Sequence, residues 1–358
     1  MDLTLIPDGG LGWLDASGPH ANVVVSTRIR LARNLAGETF AGRASREGRR
    51  RVLERVEEAW QGCEGRGGVR ILLDGLTPEE RQLLHERHLV SKELLASAAD
   101  RPGASATAVL LGDAAGAMVN EEDHLRLQTL RSGFALTAAY AELDRLDRAL
   151  GARLPYAFHR EFGYLTACPT NAGTGLRASV LIHLPGLVHT KEIAKVLQGL
   201  GQVGLTFRGL YGEGSDVVGN LFQVSNQTTL GKSEDDLLDH LAKIVRQVVI
   251  YEEQARQLLL REAPAIIEDK LWRAYGVLRY ARSLSFEEAM NYLSGVRLGV
   301  GLNLIPGLGV YALNKLLIFT QPAHLAALEP RWPNDPDQRA ARAAYVRRVL
   351  AEEAAGPV

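Results

Sequence analysis

The stretch Val23-Val24-Val25-Ser26-Thr27-Arg28-Ile29-Arg30-Leu31 carries the first decision about the fold. Its β-branched run predicts a strand. Side chains alternate along a strand, so Arg28 and Arg30 share one face while Ile29 and Leu31 share the other. The apolar face then packs on a core. The opposite face holds two guanidinium forks side by side, a geometry suited to phosphate oxygens; the plainer alternative is an exposed strand with solvated arginines. From Arg28 to Arg55 there are nine arginines and only three acids, Glu38, Glu47 and Glu54, which suits this region to an anion.

Outward from this strand, the spacing predicts a basic helix over 47–61 and a short strand over 69–74. Thr77-Pro78-Glu79-Glu80 is a helix start with Thr as N-cap and Pro at the first helical position. Segments 106–113 and 117–120 read as a hairpin around 112–116. Residues 124–150 have helical spacing and end at Gly151. A strand over 176–184 stops at Pro185-Gly186, a helix over 190–200 closes at Gly201, and strands at 203–208 and 220–225 flank a Gly-rich loop. Ser233 opens a long helix to about residue 261. Beyond Pro264 the strand signals fade. Helical period covers 266–281 and 310–320, Ser285-x-x-Glu288 is a capping box, and Asp335-Pro336 places an N-cap before a last helix toward Glu353. The expected division is an irregular segment 1–20, an α+β region 21–262 and an all-helical region 263–358.

Composition narrows the function classes. Hydrophobic residues at 46% and charged residues at 23% exclude wholesale disorder. The 41 Lys+Arg against 42 Asp+Glu leave a net charge of -1, so neither a basic nucleic-acid coat nor an acidic tail is implied. Two cysteines, Cys63 and Cys168, exclude a disulfide scaffold and a Cys-only zinc site. Met1 is followed at once by Asp2 with no basic-then-apolar leader. The most apolar stretch, 296–319, is interrupted by Arg297, Asn303, Pro306 and Lys315 and falls short of a membrane span. The expectation is a soluble, reduced, cytoplasmic protein with no direct nucleic-acid or membrane role.

Other constellations could carry chemistry. Asn120-Glu121-Glu122-Asp123-His124-Leu125-Arg126 reads as a strand-to-helix junction. Its acids either cap a helix start, with Glu122 and Arg126 as an i,i+4 pair, or supply a base and a phosphate clamp at one mouth. Cys168-Pro169-Thr170-Asn171-Ala172-Gly173-Thr174-Gly175 is a small-residue loop through which backbone N–H groups can approach an anion, and Cys168 is either inert packing or a thiolate near basic groups. Arg208-Gly209-Leu210-Tyr211-Gly212-Glu213 places glycines around a lone carboxylate, as in a mobile loop or a solvated hairpin. Gly231-Lys232-Ser233 fails as a phosphate loop because position 226 is Asn226. There is no H-x-x-x-H or C-x-x-C metal spacing, and His85 and His88 read as surface residues.

Together Ser26–Arg30, Asn120–Arg126, Cys168–Thr174, Arg177-Ala178-Ser179-Val180 and Arg208–Glu213 resemble, in order, the motifs of the ATP:guanidino phosphotransferases. The resemblance is nearest to the bacterial protein-arginine kinases, which lack the N-terminal helical domain of the metabolite kinases and carry a helical C-terminal domain. It implies an α+β fold, a mostly antiparallel sheet flanked by helices, followed by a smaller all-helical domain that binds substrate or partners or dimerises. It implies ATP and Mg²⁺, with no protein metal site.

By position it assigns Ser26, Thr27, Arg28, Ile29, Arg30, His88, Arg126, Arg177, Ala178, Ser179, Val180, Leu181, Arg208, Gly209, Leu210, Tyr211 and Gly212 to the nucleotide. Glu122 becomes the catalytic base, Glu213 the second substrate carboxylate and Cys168 the family's reactive cysteine. Two positions depart from pattern. Tyr211 stands where metabolite kinases have an arginine clamp. Gln338-Arg339-Ala340-Ala341-Arg342-Ala343 stands where an Arg-Asp-x-x-Arg-Ala motif is linked to phosphoarginine binding, leaving Arg339 and Arg342 as its candidates. The implied activity is phosphorylation of exposed arginine in proteins, marking them for a Clp-type unfoldase–protease or inactivating a stress repressor, with an activator protein and a homodimer among the suggested partners. The competing readings are a kinase of a free guanidino metabolite such as arginine, and a non-catalytic adaptor.

Overall fold

Alternation along the opening strand sets the architecture. In the computed structural model, which describes residues 10–64, 68–100, 105–113, 115–210, 217–328 and 338–354, the chain runs β1 (Val24–Arg33), α1 (Arg46–Glu64), β2 (Val69–Leu72), α2 (Pro78–Glu86), α3 (Lys92–Asp100), β3 (Ala108–Leu111), β4 (Gly116–Val119), β5 (Leu125–Ser132) and α4 (Leu136–Gly151). It continues through β6 (Phe158–His159), β7 (Gly163–Tyr164), β8 (Leu176–His183), α5 (Pro185–His189), α6 (Ile193–Gln202), β9 (Leu205–Arg208), β10 (Leu221–Asn226) and α7 (Glu234–Glu262). It closes with α8 (Pro264–Tyr280), α9 (Phe286–Gly301), α10 (Val310–Phe319), α11 (Pro322–Leu328) and α12 (Arg339–Ala354).

The main sheet has eight strands in the order β2-β3-β4-β5-β1-β8-β10-β9, with antiparallel pairing at each step. On one face Ile29, Leu31, Leu127, Ala178, Val180 and Val224 form a core with residues of α1, α4 and α7. The other face is covered in parts. Val109, Leu111 and Met118 pack under α2 and α3. Val25, Leu181, Leu210 and Leu221 join the core of the C-terminal helices. Between these two covers lies the stretch of sheet that carries the arginines. The fold is α+β with an all-helical C-terminal region, as the resemblance implied.

The capping signals hold: Thr77, Ser233 and Ser285 each accept from the third helical N–H, and each third residue returns the bond. Other expectations need correction. The helix expected over 124–150 is two elements, because Leu125 and Leu127 alternate with Arg126 and Gln128 at the period of a strand. Gly133 turns the chain at φ +63 before α4 begins. Glu122 and Arg126 therefore do not share a helical face. Pro185-Gly186 does not merely stop a strand. It opens α5, whose first N–H groups at Gly186 and Leu187 are each capped at 2.9 Å by the buried Glu252 carboxylate. Asp335-Pro336 lies outside the described residues.

His85 and His88 are buried, and the residues between them join the two halves of the molecule. Glu86 accepts from the Ala323 and His324 backbone N–H groups at the start of α11 and from His324 Nδ1 at 2.8 Å. Arg87 Nε donates to His324 Nε2 at 3.1 Å. The Glu86 and His324 side chains are each 1% exposed. Glu86→Ala would strand these donors in the interior, so urea unfolding should show a loss of about 3 kcal/mol.

Candidate active site

Strand register brings the arginines of distant segments onto one surface. Arg30 lies opposite Arg177 on β8, Arg28 opposite Ser179, and Ala32 opposite Arg126 on β5. On the far side Gln223 of β10 pairs with Arg208 of β9. Since like faces continue across paired strands, Arg126, Arg28, Arg30, Arg177 and Arg208 all belong to the face between the two covers. The same alternation sends Thr27, Ile29, Ala178 and Val180 into the opposite core, so their side chains do not reach this surface. Thr27 Oγ1 instead donates to Gly133 O at 2.7 Å and accepts from Ala135 N–H ahead of α4.

This surface is electrostatically strained. Burial, then Arg126 and Arg177, push the Arg28 guanidinium down to about 10. Burial, then Arg28, Arg126 and Arg177, push Arg30 well below its ordinary value. Nε of Arg28 and of Arg30 are both buried without a hydrogen-bond partner. Adjacent cations with orphaned donors suit a polyanion, which would satisfy the donors and offset the repulsion. Arg177 donates to Ser225 Oγ at 3.1 Å, and Gln223 Nε2 donates to Ser179 Oγ at 3.1 Å, so the neighbouring strands hold this side in place.

At one end of the arginine row, Ser26, Arg28, His88, Leu130, Ser179, Leu181, Leu210 and Gln223 line a small cavity. His88 reaches it from a left-handed backbone at φ +60, its ring edge-to-face with Trp13 at 5.5 Å. Burial, then Arg28, push its pKa well below the ordinary imidazole value, so the ring is neutral. Arg208 and Gly209 lie beside the cavity-lining Leu210 at the end of β9. Tyr211, Gly212 and Glu213 lie outside the described residues.

At the other end, Asn120–His124 is the β4–β5 connection. Nearly every side chain in it is committed inward. Asn120, at φ +58, donates to Arg49 O and Ala106 O at 2.9 and 2.8 Å. Glu121 accepts from Ser91 Oγ and from Arg126 Nη1, the latter at 2.6 Å. Asp123 accepts from Asn34 Nδ2 and from Ala167 N–H, both at 2.6 Å. His124 accepts from Leu35 N–H and faces Thr39 O at 2.9 Å. Glu122 alone is exposed. Partial burial, then Asp123 and Glu121, raise its pKa above the ordinary Glu value. The arrangement presents one basic carboxylate beside a row of cations.

The Asp123–Ala167 bond ties the Cys168 loop to the same unit. Cys168 is half-buried, with Sγ 3.0 Å from Thr170 Oγ1. Gly173 sits at φ +107 against Thr229 O, where a Cβ would come within 2.8 Å. Arg342, named with Arg339 as a phosphoarginine candidate, is buried and donates to Thr320 O and Leu284 O at 3.0 Å. It closes the end of α10, so its fork is not presented to an exposed ligand. Arg339 is exposed.

Two carboxylates escaped sequence reasoning. Glu121 is the buried partner of Arg126, and Glu93 faces the cluster from α3. Burial opposes its ionisation, but its own backbone N–H, Arg126, Ser91 and Arg30 outweigh that and hold Glu93 below the ordinary range. Ser91-Lys92-Glu93 looks like a plain helix start, and only strand pairing brings Arg126 to it. No group of three or more His, Cys, Asp or Glu fit to hold a metal occurs among the described residues. None of the described helices is long and apolar enough to cross a membrane.

Comparison with known proteins agrees with this geometry. Residues 51–255 match the family model "ATP:guanido phosphotransferase, C-terminal catalytic domain", and residues 264–356 match "Protein-arginine kinase McsB C-terminal domain". The chain is 45% identical over 347 residues to a protein-arginine kinase of Symbiobacterium thermophilum, covering 94% of this chain and 96% of that one. It is 42% identical over 343 residues to that of Pelotomaculum thermopropionicum, covering 95% of each. Among solved structures it is similar to lombricine kinase, with a TM-score of 0.57 and 29% identity over 69% of this chain and 71% of the other. With both parts matched in order and relatives aligned over most of their length, the chain belongs to the protein-arginine kinases of the ATP:guanidino phosphotransferase family.

Proposed function

We propose that this chain transfers the γ-phosphoryl group of ATP to arginine side chains of proteins. The observation that carries the reading is the row of Arg28, Arg30 and Arg126 on one sheet face, with the buried Nε of Arg28 and of Arg30 lacking a partner, together with Glu122 in the β4–β5 connection, an exposed carboxylate of raised pKa that feels the Arg126 charge.

The chemistry needs this pairing. An arginine guanidinium is protonated at any physiological pH, and its nitrogens have little lone-pair density to attack phosphorus. Glu122 would grip the guanidinium N–H groups and accept a proton as the N–P bond forms and the bond from phosphorus to the ADP oxygen breaks. Its raised pKa makes it a better acceptor. Glu213 would supply a second grip. Arg28, Arg30, Arg126 and Arg177 would hold the phosphates in line and offset the charge spread over the transferring group. Arg208 and Leu210, with His88 and Ser179, would flank the rest of the nucleotide. Mg²⁺ bound with the nucleotide would neutralise part of the phosphate charge. We infer further that the chain works in the cytoplasm, that its substrates are passed to a Clp-type unfoldase or include a stress repressor, that an activator protein contributes, and that it pairs as a homodimer.

Support for a protein substrate rests on the named relatives and the matched C-terminal region. The test offers ATP and Mg²⁺ with casein in one arm and free arginine in the other. Acid-labile phosphate should accumulate on casein. Transfer to free arginine alone would replace this reading with a metabolite kinase.

A further inference from the structure

Arg126 reaches the arginine face on a long side chain, so strand pairing alone does not fix where its guanidinium stands. Its Nη1 donates to Glu121 Oε1 at 2.6 Å. That same oxygen accepts the hydroxyl of Ser91. Ser91 immediately precedes α3, and its Oγ accepts the Leu94 backbone N–H at 3.1 Å, the geometry of a helix N-cap. One hydroxyl therefore closes the start of α3 and orients the carboxylate that holds Arg126.

The three partners are anchored separately. The backbone on either side of Glu121 is fixed, since Asn120 Nδ2 donates to Arg49 O and Ala106 O, and Asp123 accepts from Asn34 Nδ2 and from Ala167 N–H. The freedom left to Glu121 lies in its side-chain torsions. The segment ahead of Ser91 is registered to β5, because Gln128 Nε2 donates to His88 O at 3.0 Å and to Leu89 O at 3.3 Å. Gln128 stands two residues from Arg126 and so on the same face of that strand. Ser91 and Arg126 thus approach Glu121 from two elements already locked together. The Glu121 side chain is 2% exposed and that of Arg126 18%, so water competes little for these bonds. Glu93, in the first turn of α3, adds a second carboxylate that faces both the Ser91 hydroxyl and the Arg126 charge.

We propose that Ser91 is a positioning residue for phosphoryl transfer: through Glu121 it sets the angle at which the Arg126 fork meets the transferring phosphate. The inference rests on the reading of Arg126 as a phosphate clamp and deepens it. A cation that is merely near attracts the nucleotide. A cation held at a fixed angle also matches the charge that develops as the N–P bond forms. Without the hydroxyl, Glu121 keeps Arg126 as its partner but is free to turn, and the pair moves as a unit. Removing the hydroxyl should therefore spare nucleotide capture and slow the chemical step.

The test uses the full chain with ATP, Mg²⁺ and casein. Ser91→Ala should lower kcat about tenfold and leave KM for ATP within about twofold. Ser91→Thr keeps the hydroxyl and should retain most of the wild-type kcat. Thr77→Ala is the control. It removes the N-cap of α2, whose hydroxyl bonds Glu80 N–H and not Glu121, and should leave kcat unchanged. An unchanged kcat in Ser91→Ala overturns the proposal. So does an equal loss in Ser91→Thr or in Thr77→Ala, since packing or fraying at a helix start would then account for it. A rise in KM with kcat preserved also overturns it, because Ser91 would then serve binding. If wild type transfers no phosphate to casein, the protein-kinase reading fails and takes the proposal with it, an outcome distinct from equal rates in wild type and variant.

Discussion

Glu122→Gln is expected to lower phosphoryl transfer by about a thousandfold while ADP affinity stays within about twofold, as befits loss of a positioned general base. The amide keeps the size of the side chain and removes its ability to take a proton. Because Glu122 is the exposed member of its loop and its neighbours make the inward hydrogen bonds, the fold should be unaffected. The pH dependence has a definite sign. Only the ionised carboxylate accepts a proton, and burial with Asp123 and Glu121 raises its pKa. Activity should therefore fall with acidification through a value above that of an ordinary glutamate. A rate that stays flat down to the ordinary carboxylate range would remove Glu122 from the base role.

Arg126→Met should damage two properties that can be separated. The first is the phosphate clamp, where removing one fixed cation costs about a hundredfold or more in kcat/KM. The second is stability, because the Glu121 side chain is 2% exposed and would lose its 2.6 Å partner. A buried carboxylate that loses its counter-ion and keeps only the Ser91 hydroxyl costs about 3 kcal/mol, readable in urea unfolding. Adding Glu121→Gln should recover most of the stability and none of the activity. Recovery of both would make Arg126 a structural residue only.

Much of this organisation was legible in the chain and some was not, for local reasons. Capping boxes involve residues three apart, so Thr77, Ser233 and Ser285 announced their helices. Alternation told Arg28 from Ile29. It also puts Arg33 on the core face, but nothing nearby says that Asp147 waits there to pair with it. The leucines of β5 ran on into those of α4, and helical spacing could be read through both until Gly133. His88 looked like a surface residue because its cover, Trp13, comes from far away in sequence. The site divides similarly. Its cations lie in short motifs, whereas the roles of Glu121 and Glu93 appear only once β5 is paired with β1 and α3 is folded over the sheet.

The most direct measurement is phosphorus NMR of an unfolded, arginine-bearing protein after incubation with the enzyme, ATP and Mg²⁺. The account predicts a new protein-bound phosphoramidate resonance that disappears on acid treatment and does not form with the Glu122→Gln enzyme. An acid-stable phosphate ester on the protein, or free phosphate as the sole product, would contradict it.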